Sequence, residues 1–174
     1  MTILLQLFVL FGSALTVGYG YLKNRSYLKR FGWILLGVFL FEFSTQVLWI
    51  NEGLWRFTYV AYDRIGPHLN WLISLGWTLI VFYAWLLVDR FDLSKEWKRF
   101  TYRLVAVTVI SILAEGVVLN LGIRSYGPEV QQLLSGYKIP ALGVPIEALY
   151  YVPAFMALVL GFVSFLSGEG LVHE

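Results

Sequence analysis

An all-α integral membrane protein with five transmembrane helices is the fold the sequence predicts, and three observations predict it. The 174 residues are 59% hydrophobic and only 14% charged, against about 25% charged in ordinary soluble domains. The mean hydropathy is +0.71. The apolar residues gather into five runs, each near the roughly 20 residues that a spanning helix needs. These place spans at about 2–22, 31–51, 69–88, 104–123 and 141–167, in a single transmembrane domain covering 1–174. Strands of a closed barrel would be about half as long and would alternate apolar with polar, which these runs do not.

The first run lacks a basic segment before it and is long enough to span, so it reads as a retained helix rather than a signal peptide. Its Gly12, Thr16 and Gly20 recur every fourth residue, a small-residue ridge for close helix approach. The second, fourth and fifth runs each hold one ionisable residue, a glutamate: Glu42, Glu115 and Glu147. The third holds none, but Asn70, Ser74, Trp77 and Thr78 make a polar and aromatic stripe that should face protein. In the second outer loop, residues 127–136 begin Gly-Pro and end Ser-Gly, which predicts a short interfacial helix.

Orientation follows from Lys and Arg, which cytoplasmic loops retain. Of the 13 basic residues, Lys23, Arg25, Lys29 and Arg30 follow the first span, and Arg90, Lys95, Lys98, Arg99 and Arg103 follow the third. The N-terminus is therefore expected outside and the C-terminus inside, with loops 52–68 and 124–138 on the outer face. Trp49, Trp55, Tyr59, Tyr62, Trp71, Tyr126 and Tyr137 crowd that face as an aromatic belt or a ligand vestibule. An internal repeat of two-helix hairpins, helices 2-3 and helices 4-5, is also expected. Asn51-x-Gly53-Leu54 returns as Asn120-x-Gly122-Ile123, and Gly66-Pro67 returns as Gly143-Val144-Pro145. Proline suits the first turn of a helix, where its missing N–H is not needed.

The composition excludes several kinds of chemistry. With no cysteine there is no disulfide or thiolate site. His68 and His173 have no ligand-spaced partners, so no metal site is predicted. Nucleotide-binding loops and nucleophile elbows are missing, and so are nucleic-acid motifs, which removes nucleic acid as a partner. What remains is the three acids. At about 1.5 Å per residue Glu42 lies roughly 13 Å below the outer end of its helix, Glu115 roughly 12 Å and Glu147 about 6 Å, all in one leaflet. An ionised acid at a helix centre is disfavoured by about 2.5–3.5 kcal/mol on insertion scales, so the three are candidate catalytic residues. A desolvated carboxyl has its pKa raised and can donate a proton, while a second acid accepts one. Gln46 and Trp49 share a helical face with Glu42, and Tyr150 and Tyr151 lie one turn from Glu147. Together with Asn51, Asn70, Trp71, Trp77, Asn120, Arg124 and Tyr126 they form the expected substrate-binding set. The structural alternative is that the acids pair with Arg56, Arg124 or Lys138 at the rim, or sit protonated between helices.

The string Glu115-Gly116, Asn120-x-Gly122, Tyr126 and Gly143-Val144-Pro145-x-Glu147 resembles the membrane-embedded lycopene cyclases of the small-subunit or fused type. Their helices carry Pro-x-Glu-Glu after an Asn-x-x-Gly-x-Trp segment. It is also similar to the carotenoid hydratase-type membrane proteins, in which an acidic helix precedes a Gly-x-x-x-Tyr stretch and a Gly-Val-Pro. Here Ala148 stands where the cyclases have their second acid. The likeness covers mainly 115–151, with an echo at 42–71. It implies a non-redox isomerase, cyclase or hydratase of carotenoid biosynthesis, working without a cofactor on a lipophilic polyene or isoprenoid. The acids imply the same step: a neutral Glu147 or Glu115 protonates an alkene, and Trp and Tyr faces stabilise the cation. Rival expectations are a small-ligand transporter or binding protein with an outward-facing site, and a scaffold subunit. The bilayer and a second copy of the chain are the remaining candidate partners.

Overall fold

The computed structural model describes residues 2–51, 55–57, 64–65, 69–122, 124–126 and 128–168. Most of them are helical: α1 (Thr2–Lys23), α2 (Arg25–Asn51), α3 (Trp71–Val88), α4 (Glu96–Asn120), the short α5 (Pro128–Leu133) and α6 (Ala148–Ser167). Among the described residues of the connections are four very short strands: β1 (Trp55–Phe57), β2 (Arg64–Ile65), β3 (Leu69–Asn70) and β4 (Arg124–Tyr126). Strand β1 pairs with β4 and β2 with β3, both antiparallel. Among the described residues, α4 and α6 are long and apolar enough to cross a membrane, and Leu72–Val88 forms a shorter apolar helix.

The boundaries differ from the sequence expectation for local reasons. Asn24 is the whole connection between α1 and α2: its side chain accepts the Ser26 N–H at 3.0 Å, so α2 starts at Arg25 rather than near 31. Helix α4 starts at Glu96, which puts Lys98, Arg99 and Arg103 on its first turns instead of in a loop. Lys and Arg are good helix formers whose long stems carry the charge away from the axis. Helix α6 starts late because residues 137–146 fold back on themselves. Ile139 donates to the Val144 carbonyl at 2.7 Å, Ile146 to the Tyr137 carbonyl at 3.1 Å, and Lys138 bridges to Pro145. The reversal puts Gly143 at φ +68° and Ala141 at φ +64°, the left-handed region. Pro145 then opens a tight turn, with Ala148 donating back to it at 3.0 Å.

Helices α2, α3, α4 and α6 form a closed ring in which each packs on two neighbours: α2 on α3 and α6, α4 on α3 and α6. Helix α1 lies outside, against α2 and α3. Its small-residue ridge makes the contact, since a Cβ at Gly12 would meet Leu79 at 3.3 Å and the Thr16 hydroxyl bonds that of Tyr83 at 2.9 Å. The ring interior is filled by Ile34, Val38, Val81, Trp85, Val107, Met156, Val159 and Val163. Dispersion across this packed centre holds the four helices together.

The two halves of the ring bury matching positions. With Asn120 laid over Asn51, buried Arg103 and Val107 fall on buried Ile34 and Val38, and buried Ser111 falls on half-buried Glu42. With Pro145 laid over Pro67, buried Val152, Met156, Val159, Leu160 and Val163 fall on buried Ser74, Thr78, Val81, Phe82 and Trp85. The strands agree: Trp55 pairs with Tyr126, Arg56 with Ser125 and Phe57 with Arg124, the register that a two-fold axis through Arg56 and Ser125 generates. The second connection is longer than the first by the stretch that makes α5.

The outward face of α4 is apolar as well. On α4 the exposed stripe is Val105, Val109, Leu113 and Val117, whereas the buried face carries Arg103, Ser111 and Glu115.

Candidate functional site

Glu115 lies near the C-terminal end of α4 and is only 4% exposed. The Tyr126 hydroxyl, brought over it by β4, donates to Glu115 Oε1 at 3.0 Å. The same hydroxyl meets that of Tyr151, from the first turn of α6, at 2.7 Å. A phenol has one proton, so when Tyr126 donates to the carboxylate it must accept from Tyr151. When Glu115 carries the proton the chain can run the other way. Three elements thus converge on a carboxyl–phenol–phenol relay.

The local sequence explains how they come so close. A Cβ at Gly116 would lie 3.1 Å from Leu142 Cβ and 3.3 Å from its carbonyl oxygen, so glycine is what lets the 139–144 turn seat against α4. Asn120 clamps that seat: Nδ2 donates to the Gly116 carbonyl at 2.8 Å and to the Leu142 carbonyl at 2.9 Å. Both N–H groups of the Asn120 amide are therefore used within the protein.

Other expected site residues fall elsewhere. Glu147 precedes α6 rather than lying within a span, and its Oε1 accepts the Ser135 N–H at 2.7 Å, tying the loop after α5 to the start of α6. Hydrogen bonds from Ser135, through its side chain and then its backbone, hold the Glu147 carboxyl below its ordinary value. Tyr150 is 73% exposed and points away from the ring, whereas Tyr151, one residue on, turns inward. Glu42 and Trp77 are half-buried on α2 and α3. The side chains of Gln46, Trp49, Asn51, Asn70, Trp71 and Arg124 lie outside the described residues. Of the expected set, then, Glu115, Tyr126 and Tyr151 come together.

Beside the relay is a cleft of about 450 Å³, whose wall includes Asn120, Ser125, Tyr126, Gln131, Tyr137 and Lys138. Gln131 of α5 donates to the Tyr126 carbonyl at 2.8 Å, so α5 braces the strand that carries the phenol. Among the described residues no group of three or more His, Asp or Glu could hold a metal ion.

The opposite end of the ring holds a cluster that the sequence reading missed. Asp89, just after α3, accepts from Arg103 of α4 at 2.6 Å and from Arg30 of α2 at 2.7 Å. Both guanidinium groups lie over the Trp85 ring, at 3.8 Å and 5.4 Å from its centroid. Arg103 is 3% exposed. Its signal was present in the sequence, because Arg103, Val107, Ser111 and Glu115 recur every fourth residue and so share one helical face.

No family model, no curated protein and no solved structure matches the chain.

Proposed function

We propose that the protein is a five-span integral membrane enzyme, N-terminus out and C-terminus in, that performs carboxylate-mediated proton chemistry on a carbon–carbon double bond of a carotenoid or other isoprenoid. The observation that carries this reading is the buried Glu115 carboxyl, hydrogen-bonded to Tyr126 and through it to Tyr151. The apolar exposed stripe of α4, with Arg103, Ser111 and Glu115 turned inward, supports a bilayer location. The distribution of basic residues supports the orientation. The matched burial of α2 with α4 and α3 with α6 supports a parallel repeat of two hairpins about an axis along the membrane normal.

In this mechanism Glu115 gives its proton to one alkene carbon. A C–H bond forms, the π bond breaks, and a carbocation faces the new carboxylate. Attack by a second double bond followed by proton loss gives cyclisation. Addition of water followed by proton loss gives hydration, and loss of a neighbouring proton gives double-bond migration. Each outcome conserves electrons, so the reaction needs no oxidant or reductant. Tyr126 and Tyr151 pass the proton between Glu115 and the cleft side of the site. Glu147 is left out of the donor role, because Ser135 stabilises its ionised form. General acid catalysis of this kind contributes about 10²–10⁴-fold.

The test is expression in a polyene-producing host, with mass analysis of the whole lipid extract. A product formed by the wild type and by Glu147→Gln but lost in Glu115→Gln supports the reading. Extracts that match the empty-vector host in every case overturn it. The polar cleft favours a second reading, an outward-facing binding protein or transporter. Transport would need a route through the other end of the ring, where Arg103, Asp89 and Trp85 are packed together.

A further inference from the structure

The cleft beside the relay is walled by the second connection, part of which breaks the repeat. With β4 laid over β1 and Pro145 over Pro67, residues 127–135 have no counterpart in the sequence of the first connection; they hold Gln131 and Leu134, and Gly136, Tyr137 and Lys138 follow directly. Lys138 is the charged member of the described wall, its ammonium makes no hydrogen bond or ion pair among the described residues, and no described carboxylate lines the space. Glu147, nine residues on and the nearest acid whose side chain is described, has its Oε1 engaged by the Ser135 backbone. The remaining polar wall offers the hydroxyls of Ser125 and Tyr137. At about 450 Å³ the cleft is in the size range of small-molecule sites. From its Asn120 wall the exposed apolar residues Val117 and Leu113, at i−3 and i−7, continue along the same face of α4.

From a free cation at a polar mouth that leads onto an apolar helix face, we propose that the cleft binds the anionic head of an amphiphile, a phosphate or similar oxyanion, with the apolar tail laid along α4. The head follows from the cleft alone, while the isoprenoid nature of the tail rests on the function proposed above. Lys138 supplies the charge and the hydroxyls of Ser125 and Tyr137 supply hydrogen bonds. Binding there would set the tail beside Tyr126, at the edge of the proton relay.

Native mass spectrometry of the full chain, released from maltoside detergent and titrated with dodecyl phosphate, tests this. One saturable dodecyl phosphate per chain is expected. Lys138→Ala should weaken it by roughly tenfold or more, since a charge-assisted hydrogen bond is lost, and Lys138→Arg should keep most of the affinity. Because Lys138 is exposed, the melting temperature should not change in either variant, which separates lost binding from lost folding. Glu115→Gln should bind dodecyl phosphate like the wild type, so a failure of the proton chemistry leaves this result standing. Equal binding of dodecyltrimethylammonium, or unchanged affinity in Lys138→Ala, overturns the anion site. Inorganic phosphate binding as tightly as dodecyl phosphate overturns the amphiphile and leaves a site for free phosphate.

Discussion

The two ends of the helix ring treat buried charge in opposite ways. At one end Asp89 is gripped by two guanidinium groups that both lie over Trp85, so that α2, α3 and α4 are fastened at one point. At the other, Glu115 is met by a phenol that is met by another phenol. The partners decide what each end can do. A guanidinium stays protonated throughout the accessible pH range and holds its carboxylate as a fixed charge. A phenol both donates and accepts, so the Glu115 end can move a proton without moving an atom of the backbone. On α4 the two arrangements are twelve residues apart, about 18 Å at the usual rise, on the same buried face. One end is a fastening, and the other is a chain of groups that can each donate and accept.

The largest effect expected from this contrast is on stability at the Asp89 end. Asp89→Ala leaves Arg103 buried without its carboxylate and should cost about 2–3 kcal/mol, somewhat below a fully buried pair because the Asp89 side chain is 28% exposed. Arg103→Met, which removes the buried charge and leaves Asp89 its Arg30 partner, should cost distinctly less. Reversible unfolding in detergent measures both. Equal losses would mean that the cluster is not a desolvated charge lock.

A smaller effect is expected at the relay. Tyr126→Phe removes the donor to Glu115 and the contact with Tyr151, and should cost about 1 kcal/mol of stability. It should lower product formation by roughly tenfold while leaving some turnover, because the acid itself remains. Turnover equal to the wild type in a folded Tyr126→Phe protein would remove the phenol from the proton path.

The smallest effect concerns pH. The folded-state pKa of Glu147 lies below its ordinary value of 4.5, so its contribution to stability is present above 4.5 and is lost as pH falls through the folded value. Wild type and Glu147→Gln should therefore differ in stability at neutral pH and converge in acid. Stability profiles that run parallel down to the acid limit would show that the Ser135 contact does not discriminate the ionised form.

Much of this contrast was legible before the fold was known, and the reasons for the rest are local. The helices followed from apolar runs, and Glu115, Tyr126 and Tyr151 were all on the expected list. The likeness of Gln46–Leu54 to Glu115–Ile123 joins α2 with α4, the same pairing on which the proposed repeat rests. Glu147 was misplaced because a run of apolar residues hides a chain reversal: Ala141 and Gly143 adopt positive φ, and only the hydrogen bonds from 137 to 146 show it. Tyr150 and Tyr151 could have been told apart by helical phase, since Ala148, Val152 and Met156 mark the buried side of α6. The Asp89 cluster was hidden by the charge count itself, which assigned Arg30 and Arg103 to loops. Counting reads where basic residues are frequent, whereas their pairing over long sequence separation depends on tertiary contact.

The central claim is that Glu115 delivers a proton to carbon. The direct measurement is deuterium incorporation: membranes carrying the protein, supplied with polyene and isoprenoid substrates in heavy water, are extracted and weighed by mass spectrometry. The account predicts a wild-type product carrying one solvent-derived deuterium on carbon and its loss in Glu115→Gln, whose amide oxygen still accepts the Tyr126 bond and keeps the fold. A labelled product formed equally by Glu115→Gln would contradict it.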